Sequence, residues 1–296
     1  MHVLVTGSSG FVAGHLIHRL EKEGHYVRGF DIKSGEDFRN YEDVRNAIDD
    51  FRPDWIFHIG AQAYVPESFI DPYRAFETNT IGSLNILEAV RRIGLKSRIH
   101  LCGTSEELGD TPYNDEPIDE TATPNPLSPY AISKLAMNHL GMLYARSYDM
   151  NVVVTRTFNH TGPGRGEQYA ESAWAKQIAE IERGTRGVLR HGDLTPVRNY
   201  TDVRDVVRGY IAAIVLPSGV YNICSNQNVT MREVLDILIE KSSVPIPIKK
   251  ANSLFRPSDF SFKPPTSDKF RELTGWKPEI PLEKTLDSIL LYWRYR

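Results

Sequence analysis

Short apolar runs and amphipathic stretches take turns along the first hundred residues. HVLVTG, beginning at His2, is a β-branched run that predicts a buried strand. SGFVAGHLIHRLEKEG then sets Phe11, Leu16, Ile17 and Leu20 at helical spacing and ends at Gly24, a residue suited to a helix C-terminus. HYVRGFDI predicts a second strand, VRNAIDDF a helix, DWIFHIGA a third strand, IGSLNILEAVRRIG a helix and SRIHLCGT a fourth strand. Such regular alternation predicts an α/β fold, a doubly wound and mostly parallel sheet whose ligand lies beyond the carboxyl ends of its strands.

The later pattern is less regular. PYNDEPIDETATPNPLSP, rich in proline and acidic residues, predicts an irregular surface excursion before a helix that starts at Pro129. GRGEQYAESAWAKQIAEIERG reads as a loop and a helix, with the loop from Gly162 to Tyr169 expected to cover a ligand. FRPSDFSFKPPTSDKFRELTG reads as a loop that leads into a short helix. Neither repeats nor low-complexity tracts interrupt the chain.

Composition narrows the classes of function. With 296 residues, 41% hydrophobic and 25% charged, the chain can bury a substantial core and divide into two lobes. A net charge of -3 offers no broad basic footprint for nucleic acid, and no apolar run approaches the roughly 20 residues that span a bilayer. Cys102 and Cys224 lie in apolar stretches without metal-ligand spacing, which predicts buried free thiols in a reducing compartment and no metal site. The first strand starts at His2 with no basic and apolar leader before it, so a cytoplasmic protein is expected.

Two constellations carry chemistry. Gly7 follows the first strand and Gly10 precedes the helix, so backbone N–H groups and the helix N-terminus would face a pyrophosphate; alone, such a cluster is also a plain turn. Ala13 stands where a third glycine is usual, and Gly14 is expected to be a packing residue. Asp31, at the end of the second strand, supplies a ribose acceptor that favours NAD over NADP, although Lys33 nearby works against that preference. Farther along, Tyr130 and Lys134 sit four apart on a helix, which places phenol and ammonium on one face. An ammonium neighbour lowers a phenol's pKa, and Thr104 at a strand end could hold the same substrate oxygen.

TGSSGF, Asp31, Asn79, Thr104 and Tyr130-x-x-x-Lys134 together resemble the extended short-chain dehydrogenase/reductase family, whose members modify nucleotide sugars. RTFNHTGPG, KQIAEIERG, VRNYTDVRDVVRGY, YNICS, RPSD and TGWKPEIPLEKTL look closest to its GDP-4-keto-6-deoxy-mannose reductases, with GDP-mannose 4,6-dehydratases as near relatives. The resemblance implies a Rossmann-type dinucleotide domain over 1–160, with a returning segment near 197–225, and a smaller C-terminal lobe over 161–296 that grips the nucleotide sugar. It implies cofactor contacts from Gly7, Ser9, Gly10, Phe11, Val12, Asp31, Asp37, Phe38, Ile59, Gly60, Ala61, Gln62, Asn79, Tyr130, Lys134, Phe158 and His160. Ser105, Asn159, Lys176, Arg198 and Arg256 are implied substrate contacts, with Gln177 a further candidate. The two arginines would meet a diphosphate, which a guanidinium can bind in bidentate fashion.

The same resemblance implies a homodimer formed through helices around Leu84 to Arg92 and Ala131 to Arg146. Leu135, Leu140 and Leu143 serve either that contact or core packing. Glu106 stands where a dehydratase keeps the carboxylate that removes the C5 proton, but reductases retain a glutamate there too. Leu108 departs from the family's usual tyrosine and predicts a lost contact. The preferred expectation is reduction of a GDP-linked 4-keto-6-deoxy hexose by NAD(H), with NADP(H) possible, in which Thr104, Tyr130 and Lys134 are catalytic. The alternatives are a 4,6-dehydratase that adds Glu106, an epimerase, and a non-catalytic cofactor-binding protein.

Overall fold

A computed structural model describes residues 1–109, 117–225, 227–254 and 264–296. Its centre is a parallel sheet of six strands, and the four strands expected from the alternation are all present. These are β1 (His2–Thr6), β2 (Tyr26–Phe30), β3 (Trp55–His58) and β4 (Arg98–Cys102), followed by β5 (Asn151–Thr157) and a last strand, Gly219–Ile223. The spatial order is β2, β1, β3, β4, β5 and then Gly219–Ile223. Order reverses between β1 and β3, which opens a crevice at their carboxyl ends.

Helices cover both faces, so β1 and β3 to β5 are buried along nearly their whole length. One face packs Val3, Val5 and Phe57 against Leu16 and Leu20 of α1 (Phe11–Lys22) and against Val206 and Tyr210 of the helix Val203–Ala213. The other packs Leu4, Ile56 and Ile99 against α2 (Tyr41–Phe51) and the helices Gly82–Ile93 and Pro129–Tyr148. A third cluster joins Trp174 and Ile178 to Leu235, Leu238, Leu286 and Ile289, away from the central sheet.

Two expectations about local packing change. Gly14 is exposed and a Cβ there would meet nothing within 4 Å; the helix approaches the sheet through buried Ala13 instead. The proline-rich excursion is tied down in its described part, 117–127. Ile118 bridges Pro265, and Glu120 Oε1 accepts from the Asn222 amide at 2.7 Å.

The stretch TDVRD joins distant parts of the chain. Asp202 caps the helix Val203–Ala213 and accepts from Thr285 Oγ1 at 2.7 Å. Asp205, fully buried, accepts from the amides of Glu279 and Ile280, each at 2.9 Å, and from Arg208 Nη2 at 2.7 Å. Asp205→Ala leaves those two amides and a guanidinium without their acceptor, so it is expected to cost about 3 kcal/mol and lower Tm by several degrees. Urea unfolding checks this: the midpoint should fall with an unchanged slope.

Candidate active site

The glycine turn is built by close backbone approach. Gly7 has φ +66° and donates to the Phe30 carbonyl at 2.8 Å, and Gly10 N donates to the Gly7 carbonyl at 2.8 Å. A Cβ on Gly7 would lie 2.5 Å from Gly60 Cα. No side chain caps the start of α1, so its first amides point outward for an anion.

Asp31 closes this turn. Its Oδ2 accepts from Ser9 N at 3.0 Å and Ser9 Oγ at 2.8 Å, and its Oδ1 accepts from Lys33 N at 2.9 Å. Burial opposes ionisation, but the amides of Lys33 and Ser9 outweigh it and hold the carboxyl below its usual range. Three of about four acceptor positions are therefore in use, leaving room for one hydroxyl donor.

Asp37 and Phe38 turn inward differently from each other. Asp37 is gripped by Arg39, whose Nη2 donates at 2.6 Å, while the Phe38 ring packs over Gly60, where a Cβ would approach it to 2.5 Å. Val12 and Ile59 pack against the first core face.

The reacting side chains meet above β4. Thr104 starts a short turn, Ser105–Leu108, as its capping residue, with Glu107 as the reciprocal partner. Tyr130, one-tenth exposed at most, hydrogen-bonds the Thr104 hydroxyl, and its pKa is raised, chiefly by burial, against the lowering effect of that bond. Glu106, half-buried, and Tyr169 add to the upward push. Burial thus favours the protonated phenol in the protein alone. Lys134 is buried as well: its Nζ donates to the Cys102 carbonyl at 2.8 Å, and burial lowers its own pKa.

The two adjacent glutamates have different surroundings. Glu107 is fully buried, accepts from Asn138 Nδ2 at 2.9 Å and lies 3.5 Å from Arg156 Nε; Glu106 faces Tyr130. Leu108, at the expected tyrosine position, is fully buried and packs with Ile118, Phe158 and Cys224.

Asn79 connects cofactor loop and catalytic helix. It sits in a wide helical turn, Glu77–Ile81, where its Oδ1 accepts from Gln62 N at 2.9 Å and its Nδ2 donates to Gln62 O at 3.1 Å and Ser133 Oγ at 2.9 Å. Ser133 in turn donates to the Tyr130 carbonyl at 2.7 Å. Beneath it runs a second line: Thr6 Oγ1 to His58 Nδ1 at 2.7 Å, and His58 Nε2 to Ser83 Oγ at 2.9 Å. Burial first, then Lys134, pushes His58 and His100 down to about 3, so both are neutral.

Other expected residues are scattered more widely. Phe158 is buried, and His160 has a pKa lowered to about 4 by burial and then by Arg165. Asn159 has a buried Oδ1 with no partner, Ser105 is buried beside Thr104, and Ala61 is half-buried between Gly60 and Gln62. Arg198 Nη1 donates to the Val197 carbonyl at 2.9 Å. Lys176 pairs with Glu167 and lines a separate cleft of about 530 Å³ with Arg186 and Arg190, a cleft that no reacting side chain lines. Gln177 is held there by the Arg190 amide at 2.8 Å. Arg256 lies outside the described residues. Sequence reasoning passed over Tyr64, Arg165 and Tyr169, which bring aromatic faces and a cation to the cleft.

Phenol, hydroxyl and buried ammonium beside a dinucleotide turn define an enzyme of the extended short-chain dehydrogenase/reductase type. The chain belongs to the GDP-mannose 4,6 dehydratase family, whose model matches residues 4–289. It is 31% identical over 297 residues to GDP-6-deoxy-D-mannose reductase of Pseudomonas aeruginosa, covering 99% of this chain and 97% of the relative. Among solved structures, RMD from Pseudomonas aeruginosa complexed with NADPH is 30% identical with TM-score 0.90, covering 99% of this chain and 97% of that one. UDP-glucose 4-epimerase of Thermus thermophilus, in complex with NAD, is 29% identical with TM-score 0.89 and 99% coverage of both chains. The chain is thus an NAD(P)-dependent, nucleotide-sugar-modifying enzyme. Among the described residues no helix is long and apolar enough to cross a membrane, and no group of three or more His, Cys, Asp or Glu could hold a metal ion.

Asn79→Ala removes the link from Gln62 to Ser133. It should cost about 1 to 3 kcal/mol and speed amide hydrogen exchange at Ser133 and Lys134, while β1 and β2 keep their protection. Mass-resolved exchange reads both regions in one experiment.

Proposed function

We propose that the protein reduces the 4-keto group of a GDP-linked 4-keto-6-deoxy hexose. The observation that carries this reading is the 31% identity to the Pseudomonas aeruginosa reductase across almost all of both chains. The residues present fit a nicotinamide dinucleotide: a turn that side chains at Gly7 and Gly60 would fill, an uncapped helix start, and one acceptor position left on Asp31. Amides of Phe11 and Val12 would hold the diphosphate over Gly10, whose own N–H donates to the Gly7 carbonyl, with Ser9 positioning Asp31 toward a ribose. Gly60, Ala61, Gln62 and Asn79 would flank the middle of the dinucleotide, Phe158 and His160 its nicotinamide end, and Asp37 and Phe38 its adenine end. Bound and reduced, the nicotinamide supplies a hydride to C4.

The chain's own part is proton management. Thr104 and Tyr130, already hydrogen-bonded to each other, can both turn to one carbonyl oxygen. Tyr130, kept protonated by burial, gives its proton to that oxygen as C4 is reduced. Lys134, buried one helical turn below, offsets the phenolate that results. Asn159, with its unpartnered Oδ1, and Ser105, Arg198, Arg256 and Lys176 are the proposed contacts of the sugar nucleotide.

This reading includes a dinucleotide lobe and a sugar-nucleotide lobe, the latter organised around the Trp174 cluster. It also includes a homodimer, formed where Ile132 and Leu143 lie exposed on the helix Pro129–Tyr148; Leu140 instead packs into the core. The cytoplasm suits its two free thiols. A 4,6-dehydratase is the second reading, favoured by the placement of Glu106 toward Tyr130. The carboxylate of Asp31 repels a 2'-phosphate, so NADH is the proposed cofactor, with NADPH second.

Incubation with GDP-mannose alone, and separately with its 4-keto-6-deoxy product plus NADH or NADPH, decides among the readings. Reduction of the keto sugar, faster with NADH, is expected; turnover of GDP-mannose without added reductant would establish the dehydratase instead. Tyr130→Phe should lower kcat by about 10²- to 10⁴-fold with NADH binding retained, and Glu106→Gln should be mild. Severe loss in Glu106→Gln, with folded protein, would again favour the dehydratase. Asp31→Asn should narrow the preference for NADH over NADPH, measured as a ratio of kcat/KM values.

A further inference from the structure

Arg165 lies on the loop between the short strand His160–Thr161 and the helix Ala170–Glu182. Its guanidinium carbon is 3.5 Å from the centre of the Tyr169 ring and 5.2 Å from that of Phe11, the first residue of α1. Its Nε is buried with no hydrogen-bond partner, and no carboxylate pairs with it among the described residues. A cation drawn from water between two aromatic faces recovers part of its solvation from the rings, and an anion within reach of its unused donors would supply the rest.

The loop is fastened so that this side chain has one direction to go. His15 on α1 hydrogen-bonds the Pro163 carbonyl at 2.9 Å through Nε2, and Ser172 Oγ donates to the Arg165 carbonyl at 2.6 Å. Gly164 has φ +93° and passes within 3.8 Å of the Phe11 ring, measured from the position of a Cβ. The contact with Phe11 sets Arg165 beside the first turn of α1, whose amides no side chain caps.

We propose that Arg165 clamps the diphosphate of the bound dinucleotide, reaching over Phe11 from the loop that carries Tyr169. This rests on the reading of the Gly7 to Gly10 turn as the cofactor cradle. The uncapped amides at the start of α1 are neutral donors, and the fork of a guanidinium adds a full charge in a geometry that matches two phosphate oxygens.

Arg165→Met keeps a stem over Tyr169 and removes the charge; Arg165→Lys keeps the charge. Calorimetric titrations of the full chain and both variants with NADH, and separately with GDP-mannose, test the assignment, with circular dichroism to confirm folding. The expected result is an NADH Kd raised about 10- to 100-fold in Arg165→Met, largely recovered in Arg165→Lys, with GDP-mannose affinity unchanged. Equal NADH affinity in the unmodified chain and Arg165→Met would overturn the clamp while leaving the cofactor reading intact. Loss of GDP-mannose affinity alone would also overturn it and move the guanidinium to the sugar nucleotide. An unmodified chain that binds neither NADH nor NADPH would overturn the cofactor reading and the clamp together.

Discussion

The contact between Gly7 and Gly60 sets the geometry of everything above the sheet. The turns after β1 and β3 touch backbone to backbone, and a single methyl group on either would separate them or collide with Phe38. Thr6, just before the contact, accepts from the Gly60 amide at 3.2 Å and passes its alignment to His58. From there hydrogen bonds continue through Ser83 to the Asn79 carbonyl at 2.7 Å, and Asn79 holds both Gln62 and Ser133. The phosphate turn and the helix of Tyr130 are therefore held in register by buried polar groups with few alternative partners.

Charge in the floor of the cleft is arranged with equal economy. Lys134 is the cation there, and its nearest histidines, His58 and His100, stay neutral. Glu107 and Arg156 form a buried pair behind Thr104, so the turn that presents Thr104 rests on an ion pair closed off from solvent. Glu106, its neighbour in the same turn, is half-buried and adds to the upward push on the Tyr130 phenol.

The alternation of strands and helices was legible because local periodicity dictates it: each apolar run needed only a sheet and each amphipathic stretch only one face to cover. The glycine turn, Asp31 and the Tyr130–Lys134 spacing were legible for the same reason, since each lies within one element or its end. What stayed hidden depends on distant partners. Arg165 meets Phe11 and Pro163 meets His15 only after the chain has returned to α1, and no local pattern announces it. Gly14 looked like a packing glycine because the motif's period suggested it, but the helix turns Ala13 inward.

The last strand of the central sheet has a consequence for how the chain is made. β5 ends at Thr157, but its outer neighbour, Gly219–Ile223, follows only after an excursion that builds part of the Trp174 cluster. At a synthesis rate of about 5 to 20 residues per second, several seconds pass before the Val152 to Val154 edge of β5 can gain the partner it has in the finished sheet. The sheet's outer strand is thus among the last of its parts to be made, and an apolar strand edge that waits for its partner is a place where other strands can pair.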